Sequence, residues 1–264
     1  MRDNFETITL ERKGDHLLVV TLNRPKAGNS MSTLMGEELR ELWSDLYCDQ
    51  EDIRCAILTG SGDRIFCAGA DLKERNGMTD AQWMAQHALF EQMIMAEMDC
   101  PVPIIAAING AAYAGGFEMT LGCDFVYAAK HARFALTEVT LGIMPGACGT
   151  QNLPRAVGLR RAKEIILTGT PISAEDAYEY GIVNKLCEGE SLLDEALATA
   201  QRICDNAPIS IRQAKKSMNM SQNVDLKSGY MFELEAYNRM VTTEDRVEGI
   251  LAYNEKRKAN FQGK

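Results

Sequence analysis

The sequence contains few basic residues relative to acidic ones and no long apolar run. Its 264 residues include 28 Lys and Arg against 37 Asp and Glu, a formal net charge of −9. Nucleic acids and anionic membranes attract proteins with a broad basic face, so we expect neither as a partner. No apolar run reaches the roughly 18 residues that a membrane-spanning helix needs. A small polyanion could still bind at one of three local basic clusters: Arg24 with Lys26, Lys73 with Arg75, or residues 256–258.

Paired cysteines and a leader pattern are also missing. The chain has eight cysteines but no C-x-x-C pair, and no charged segment followed by an apolar one opens it. These absences favour reduced thiols and predict a cytoplasmic protein.

Histidine is scarce, and several common catalytic motifs are absent. His16, His87 and His131 form no H-x-x-x-H pair and have no cysteine at metal-ligand spacing, so we expect no bound metal. The motifs G-x-S-x-G, G-x-x-x-x-G-K-[ST] and G-x-G-x-x-G do not occur, which argues against a serine hydrolase, a P-loop protein and a Rossmann domain. Glutamates and backbone N–H groups are therefore the main candidates for chemistry.

The residues that are present predict strands alternating with helices. Strands are expected at residues 7–22 (two, around a glycine turn), 55–60, 104–109, 124–129 and 134–136. Apolar residues spaced by three and four predict a helix over residues 32–46. Thr79 and Gln82 form a capping-box pattern that begins a second helix, which continues to about Glu97.

Alternating strands and helices imply parallel pairing in a layered α/β core. Beyond Pro154 the pattern becomes helical, with a second capping box at Ser173 and Asp176. We therefore predict an α/β core over residues 1–190 and a helical segment over residues 191–264. No linker, low-complexity tract or internal repeat is visible in the sequence.

Two turns of small residues are candidates for binding an anion. They are CAGADLK (67–73) and AGGFE (114–118), and each follows a predicted strand and enters a predicted helix. Helix N-termini leave N–H groups without internal partners. If the two turns face each other, the N–H groups of Ala70 and Gly115 can both bind one developing oxyanion, and each such donor typically contributes about 10²–10³ in rate.

Two glutamates lie in mostly apolar surroundings. Glu118 follows the second turn, and Glu138 lies in FALTEVTLG (134–142). Glu118 has a second interpretation, since acidic residues near a helix N-terminus stabilise the helix dipole. Two carboxylates in apolar surroundings can have different pKa values and divide acid from base work. The spacing in the sequence does not establish that they meet.

Six segments together identify a family resemblance. They are LNRPKAGNSM (22–31), FCAGADLKE (66–74), PIIAAINGAAYAGGFEMTLGCDFVYAA (103–129), FALTEVTLGIMPGACGTQNLPRAVG (134–158), LTGTPISAEDAYEYGIVNKL (167–186) and EGILAYNEKRKANF (248–261). With these segments the chain resembles the enoyl-CoA hydratase/isomerase (crotonase) superfamily. The resemblance implies a spiral of β-β-α units with a C-terminal helical trimerisation segment, assembled as a homotrimer or as a homohexamer of two trimers.

The resemblance also implies a substrate and a site. The substrate is an acyl-CoA thioester, whose oxygen lies between the N–H groups of Ala70 and Gly115. The two hydratase glutamates match Glu118 and Glu138. The expected contacts with CoA are Lys26, Ala27, Ala68, Asp71, Leu72 and Lys73, while Phe261 and nearby lysines resemble the tail that covers CoA in a neighbouring subunit. No metal or redox cofactor is implied, because CoA arrives as part of the substrate.

The implied reaction is hydration of a trans-2-enoyl thioester or its reverse. Glu138 is expected to deliver a proton to the α-carbon, and Glu118 to activate water at the β-carbon. Both glutamates together favour a hydratase over an isomerase or a decarboxylase of the same superfamily. Two positions depart from the family pattern: Ala114 and Cys148 stand where glycine is common.

Within the superfamily, CAGADLKER (67–75) and EDRVEGILAYNEKR (244–257) look most similar to methylglutaconyl-CoA hydratases. A generic short-chain hydratase, or one for a specialised acyl or aryl chain, remains an alternative. Mammalian members of that subfamily bind RNA through a lysine-rich helix. The matching segment here, residues 36–52, has seven acidic residues and one arginine, so RNA binding is disfavoured.

Overall fold

An antiparallel hairpin begins the fold. The computed structural model describes Arg2 and residues 4–264. Strand β1 (Ile8–Lys13) pairs with β2 (Leu17–Leu22), so that Ile8 lies opposite Leu22. Gly14, in the turn between them, has a φ of 63°, which glycine adopts without steric cost. The hairpin predicted for residues 7–22 is confirmed.

Across Arg2 and residues 4–264, ten strands form two sheets. The strands after the hairpin are β3 (Cys55–Gly60), β4 (Ile65–Cys67), β5 (Ile104–Ile108), β6 (Ala111–Tyr113), β7 (Phe125–Ala129), β8 (Arg133–Ala135), β9 (Ile172–Ser173) and β10 (Lys185–Cys187). The large sheet has the order β1-β2-β3-β5-β7-β10, and all its pairs except β1–β2 are parallel. The small sheet has the order β4-β6-β8-β9, with only β8–β9 antiparallel. The predicted parallel α/β core is confirmed.

Both faces of the large sheet are buried, which explains its continuous apolar strands. Side chains alternate between the faces of a strand, and the core divides accordingly. Leu18 and Val20 of β2 pack in one apolar cluster, whereas Leu17 and Val19 pack in the other. The first cluster is the larger, and it extends to the helices around the site described below.

Eleven α-helices are present in the described part of the chain. They are α1 (Thr33–Cys48), α2 (Leu72–Arg75), α3 (Asp80–Asp99), α4 (Gly115–Gly122), α5 (Gly149–Val157), α6 (Leu159–Thr168), α7 (Ala174–Glu179), α8 (Leu192–Cys204), α9 (Pro208–Ser221), α10 (Leu226–Val241) and α11 (Glu244–Glu255). Short 3₁₀ turns lie at Pro25–Ala27 and Glu138–Leu141. Both predicted capping boxes are formed, at Thr79 before α3 and at Ser173 before α7.

Three successive β-β-α units build a spiral. In each unit the first strand joins the large sheet and the second joins the small sheet, as β3 and β4, β5 and β6, and β7 and β8 do. This confirms the spiral implied by the resemblance. The sequence shows no repeat because the intervening helices differ greatly in length: α2 and α3 have 4 and 20 residues, whereas α4 has 8.

The segment from residue 191 onward is helical, as predicted. Its first helix, α8, packs on the second face of the large sheet through Leu192, Ala196 and Ala200. Because of these contacts, α8 belongs to the layered core. Helices α9 to α11 come after it in the sequence. Among the described helices, none combines the length and apolar character needed to cross a membrane.

Candidate active site

A cavity of about 440 Å³ lies where β4 and β6 end. These two strands are parallel neighbours, with Cys67 paired to Ala112, so the turns that follow them lie side by side. Helices α2, α3 and α4 and the segment 137–147 complete the walls. The lining residues are Met31, Ala68, Ala70, Leu72, Arg75, Trp83, His87, Phe90, Ala114, Gly115, Glu118, Thr137, Glu138, Leu141, Ile143, Met144, Gly146 and Ala147.

Two backbone N–H groups at this cavity have no acceptor among the described residues. Met31 forms a parallel bridge with Ala70: it donates to the Gly69 oxygen and accepts from the Asp71 N–H, both at 2.8 Å. Successive N–H groups of an extended segment point to opposite sides, so the N–H of Ala70 points away from Met31. Gly115 is the first residue of α4, where an N–H has no acceptor within the helix.

The two turns face each other, as they must if the N–H groups of Ala70 and Gly115 are to bind the same oxyanion. A Cβ placed on Gly69 would lie 2.7 Å from the Cβ of Ala114 and 3.4 Å from the nitrogen of Gly115. Ala114 itself has φ 51° and ψ −127°, a conformation that glycine adopts much more readily. Such backbone strain costs of order 1–3 kcal/mol. The alanine is therefore accommodated with strain.

The carboxylate of Glu118 binds the N-terminus of a different helix. Its Oε1 accepts hydrogen bonds from the N–H groups of Ala147 at 2.8 Å and Gly149 at 2.9 Å. Gly149 begins α5, and the preceding residue, Cys148, supplies no side-chain cap. Glu118 is only 3% exposed; burial raises its pKa, while the hydrogen bonds from Gly149 and Ala147 oppose that rise. Glu118 therefore does more than stabilise the dipole of its own helix, α4.

Glu138 lies in the same cavity with a less satisfied carboxyl group. It is the first residue of the 3₁₀ turn Glu138–Leu141 and is 6% exposed. Its Oε2 is buried and has no hydrogen-bond partner in the described structure. Burial, with a further contribution from the charge of Glu118, raises the pKa of Glu138 to about 7. Both its protonated and its ionised forms are therefore populated near neutral pH.

The structure thus brings together the four predicted catalytic positions, Ala70, Gly115, Glu118 and Glu138, around one cavity. Hydrogen bonds from two N–H groups stabilise the ionised form of Glu118, whereas Oε2 of Glu138 has no hydrogen-bond partner among the described residues. Carboxyl groups in such different environments can act as base and acid in one reaction.

Comparison with known proteins identifies the family. A family model described as enoyl-CoA hydratase/isomerase matches residues 12–264. The chain belongs to the enoyl-CoA hydratase/isomerase family. The fold superimposes on the crystal structure of an enoyl-CoA hydratase from Bacillus anthracis with a TM-score of 0.96 and 41% sequence identity, covering 98% of this chain and 100% of that one.

Curated relatives support the same assignment. The short-chain-enoyl-CoA hydratase of Clostridium acetobutylicum is 36% identical, over 96% of this chain and 97% of that relative. The (E)-benzylidenesuccinyl-CoA hydratase of Thauera aromatica is 39% identical, over 97% of this chain and 99% of that relative. The family and these relatives support an enoyl-CoA hydratase, an enzyme of the lyase class.

The positions expected from the hydratase/isomerase family to contact CoA have different surroundings. Ala68 and Leu72 line the cavity. Lys26, Ala27 and Lys73 are exposed outside its lining. Contact between these five residues and CoA stays a prediction.

Asp71, also expected near CoA, has structural partners. It caps α2 by accepting from the N–H groups of Lys73 and Glu74, and it forms an ion pair with Arg24 at 2.9 Å. Burial alone would raise its pKa, but the hydrogen bonds from Arg24 and the Glu74 N–H lower it below the usual value. Its conformation holds the turn that contains Ala70.

Phe261 does not line the cavity of its own chain. Its ring lies beside Gly249 of α11, and its carbonyl oxygen accepts a hydrogen bond from Arg54 at 2.8 Å. The nearby cations Arg257 and Lys258 pair with Glu248 and Asp205, respectively. The C-terminal basic cluster is therefore largely neutralised within the chain.

Two further expectations are refined. Lys73 and Arg75 do not form one basic cluster, because Lys73 is exposed whereas Arg75 is buried in the cavity wall. Cys148 has φ 69°, a left-handed conformation that explains why glycine suits its position, and it does not line the cavity. Within the described residues, no group of three or more His, Cys, Asp or Glu side chains could hold a metal ion.

The sequence predicts pocket walls from the loop and helix around residues 76–98, and α3 does line the cavity, but three of its cavity residues were not named. Trp83, His87 and Phe90 are spaced by four and three, so they share one face of the helix. That spacing can predict a shared face, but it cannot predict that the face lies towards the two glutamates. His87 also has a partner, since its Nε2 lies 3.1 Å from Oε1 of Glu91.

Proposed function

We propose that this enzyme adds water across the 2,3 double bond of a short or branched trans-2-enoyl-CoA thioester, and catalyses the reverse reaction. The observation that carries the proposal is the pair of glutamates in unlike environments beside two unpaired N–H groups. An isomerase needs only to move a proton between carbons. Two carboxyl groups, one with hydrogen bonds that stabilise its ionised form and one with a pKa raised to about 7, suit the addition of both parts of water.

The proposed hydration begins with Glu118 as the base. Its carboxylate accepts a proton from water as the water oxygen forms a bond to the β-carbon. The π electrons of the double bond shift towards the thioester, and negative charge develops on the thioester oxygen. The N–H groups of Ala70 and Gly115 bind that oxygen, and each donor contributes about 10²–10³ in rate.

Glu138 then completes the addition as the acid. It gives its proton to the α-carbon, which restores the thioester carbonyl and leaves Glu138 ionised. Proton exchange with solvent returns both carboxyl groups to their starting states. Because the two glutamates border one cavity, the hydroxyl group and the proton are delivered to the same face of the substrate, a syn addition.

The acyl group is the least constrained part of the proposal. The relatives are named for different acyl groups, short-chain in one and benzylidenesuccinyl in another, so their names do not select one. The similarity to methylglutaconyl-CoA hydratases remains a prediction from residues 67–75 and 244–257. CoA itself is the carrier of the substrate, and the proposed reaction requires no other cofactor.

Glutamate variants test the proposed site. Loss of the ultraviolet absorbance of the conjugated enoyl thioester measures hydration of crotonyl-CoA. Because removing one member of an acid–base pair typically costs about 10²–10⁴ in rate, we expect Glu118→Gln and Glu138→Gln each to lower kcat by that factor. The matched control is Glu179→Gln, an exposed position outside the cavity, which should keep the wild-type rate.

Two results would contradict the proposal. Full activity in either cavity variant would show that the site is assigned incorrectly. Conversion of a 3-enoyl-CoA without hydration of any 2-enoyl-CoA would identify an isomerase instead.

A further inference from the structure

Ala114 has a strained backbone at the place where the two donor turns meet. Its φ of 51° with ψ −127° is a conformation that glycine adopts without steric cost and that other residues seldom adopt. Backbone strain of this kind persists only where the surrounding structure imposes it, and it is concentrated at functional sites. Glycine would remove the strain, so the methyl group of Ala114 requires a physical explanation.

The backbone of Ala114 is held from both sides. Its N–H donates to the carbonyl oxygen of Ala135, at the end of β8, at 2.8 Å. Its own carbonyl oxygen accepts from the N–H groups of Phe117 at 2.8 Å and Glu118 at 3.0 Å. Ala114 thus connects β8 to the first turn of α4, and its position sets that of the next residue, the donor Gly115.

The methyl group of Ala114 contacts the opposite turn. A Cβ placed on Gly69 would lie 2.7 Å from the Cβ of Ala114, so the methyl group packs directly on Gly69. Gly69 precedes the donor Ala70, just as Ala114 precedes the donor Gly115. Ala114 is partly exposed and lines the cavity, so this contact lies at the cavity wall beside both donors.

Met31 makes a second contact between the turns. Its backbone forms a parallel bridge with Ala70, and its side chain reaches across to α4. A Cβ placed on Gly115 would lie 2.3 Å from the terminal methyl carbon of Met31, so this side chain packs on Gly115. Met31 is 2% exposed and belongs to the larger apolar cluster. The turns therefore touch through the Met31 side chain and through the Ala114 methyl group.

These apolar contacts hold the spacing between the two donors. The β4–β6 ladder ends with Cys67 paired to Ala112. Beyond that pair, no backbone hydrogen bond joins residues 69–70 to residues 114–115 in the described part of the chain. Glycine at positions 69, 115 and 116 also gives the backbone of both turns more freedom than other residues would.

We propose that the methyl group of Ala114 is a spacer that fixes the separation of the two oxyanion donors, which makes Ala114 a positioning residue. The inference rests on the proposed function, because it concerns the same two donors. Donors stabilise a developing oxyanion best when they are held in place beforehand, and a displacement of about 1 Å can cost about 10²-fold in rate. Glycine at this position would remove the strain and the spacer together.

Ala114→Gly tests the spacer. We expect kcat for crotonyl-CoA to fall about 10-fold with KM within about twofold, because the donors bind charge that develops in the transition state. The melting temperature should stay the same or rise, because glycine adopts this φ without strain. An alanine with a merely structural role would not show a loss of kcat without a loss of stability.

Two further variants control for the loss of a methyl group. Ala198→Gly makes the same change at an exposed residue of α8 outside the cavity. It should lower the melting temperature by roughly 2–4 °C and keep the wild-type kcat. Ala114→Ser retains a Cβ at the contact, so its kcat should lie nearer to that of the wild type than to that of Ala114→Gly.

Infrared spectroscopy distinguishes this inference from the proposed function. Butyryl-CoA labelled with carbon-13 at the thioester carbonyl is saturated and cannot be hydrated. Hydrogen bonds from the two donors should lower its carbonyl stretching frequency on binding to the wild type. Ala114→Gly should show a smaller shift and a broader band, because the separation of the donors is no longer fixed.

The outcomes separate the two proposals. A smaller shift in Ala114→Gly, from a wild type that hydrates no enoyl-CoA, would overturn the hydratase and retain the spacer. No shift in the wild type, an identical band in Ala114→Gly, or an unchanged kcat in that variant would overturn the spacer, even in an active hydratase.

Discussion

At the scale of single residues, the two glutamates differ through their partners. Both are buried in one cavity, but the N-terminus of α5 donates two hydrogen bonds to Glu118 and none to Glu138. This difference assigns the base and the acid in the proposed mechanism. Because the addition of water consumes no net proton, hydration and dehydration should share one pH dependence.

The pH profile should follow the protonation of Glu138. Its pKa is raised to about 7, and hydration needs its protonated form, so kcat/KM for crotonyl-CoA should fall as pH rises through that value. Dehydration of the 3-hydroxyacyl thioester starts with Glu118 protonated and Glu138 ionised, which is the same total number of protons, and the reaction consumes no net proton. Its kcat/KM should therefore follow the same pH profile as hydration. Initial rates in both directions, measured across about two pH units on each side, test this profile. A profile for hydration that stays flat above neutral pH would contradict the role of Glu138.

Sequence predicted these residues but not their interactions. Apolar surroundings were enough to single out Glu118 and Glu138. The hydrogen bonds to Glu118 come from residues 29 and 31 positions away, and a contact at that separation is set by tertiary packing. The positive φ values of Ala114 and Cys148 were also missed, because neither residue type signals a left-handed conformation.

At the scale of elements, the packing of α4 on β4 positions the oxyanion donors. A Cβ on Gly116 would lie 2.4 Å from the carbonyl oxygen of Cys67, at the end of β4. The close atom belongs to the backbone, which cannot move aside for a Cβ as a flexible side chain can. Glycine at this position therefore allows the close approach that sets Gly115 beside Ala70.

Gly116→Ala should separate these elements. The added methyl group forces α4 away from β4, which should destabilise the protein by about 1–3 kcal/mol and lower kcat for hydration. Thermal unfolding and initial rates measure the two effects. The control is Gly229→Ala in α10, where the nearest atom would lie at 3.5 Å and alanine should stabilise the helix by roughly 0.5–1 kcal/mol. Wild-type activity in Gly116→Ala would contradict the importance of this contact.

Long elements could be predicted from sequence, whereas among the shortest strands β8 was predicted and β6 and β10 were not. The capping box at Thr79 and Gln82 placed the start of α3 correctly, because capping is a local interaction. Strands β6 and β10 have only three residues each, too few to show a periodic pattern. Their positions depend on neighbouring strands that are distant in the sequence.

At the scale of the whole molecule, α10 presents an apolar stripe to solvent. Leu226, Tyr230, Leu234, Tyr237 and Val241 are spaced by four, four, three and four, so they share one face of the helix, and all are exposed in the single chain. Exposed apolar surface of this kind marks an interaction site. We propose that this stripe lies at a subunit interface, in keeping with the homotrimer or homohexamer that the family resemblance implies.

Charged substitutions in the stripe should lower the oligomeric state. We expect the double variant Leu234→Glu/Tyr237→Glu to shift the mass measured by light scattering towards that of a monomer, because a charge is costly to bury at an interface. Arg239→Glu changes the charge of an exposed residue on another face of the same helix and should leave the mass unchanged. A monomeric wild type would contradict the proposal.

The parallel pairing of β4 with β6 has a consequence for how enzymes of this fold diversify. The ladder between these strands sets the positions of Ala70 and Gly115, whereas Arg75 and Trp83 belong to the α2–α3 segment. Under the proposed mechanism, substitutions in that segment can change which acyl chain is accepted without altering the donors to the thioester oxygen. Evolution can therefore vary the range of substrates while the reaction itself is retained.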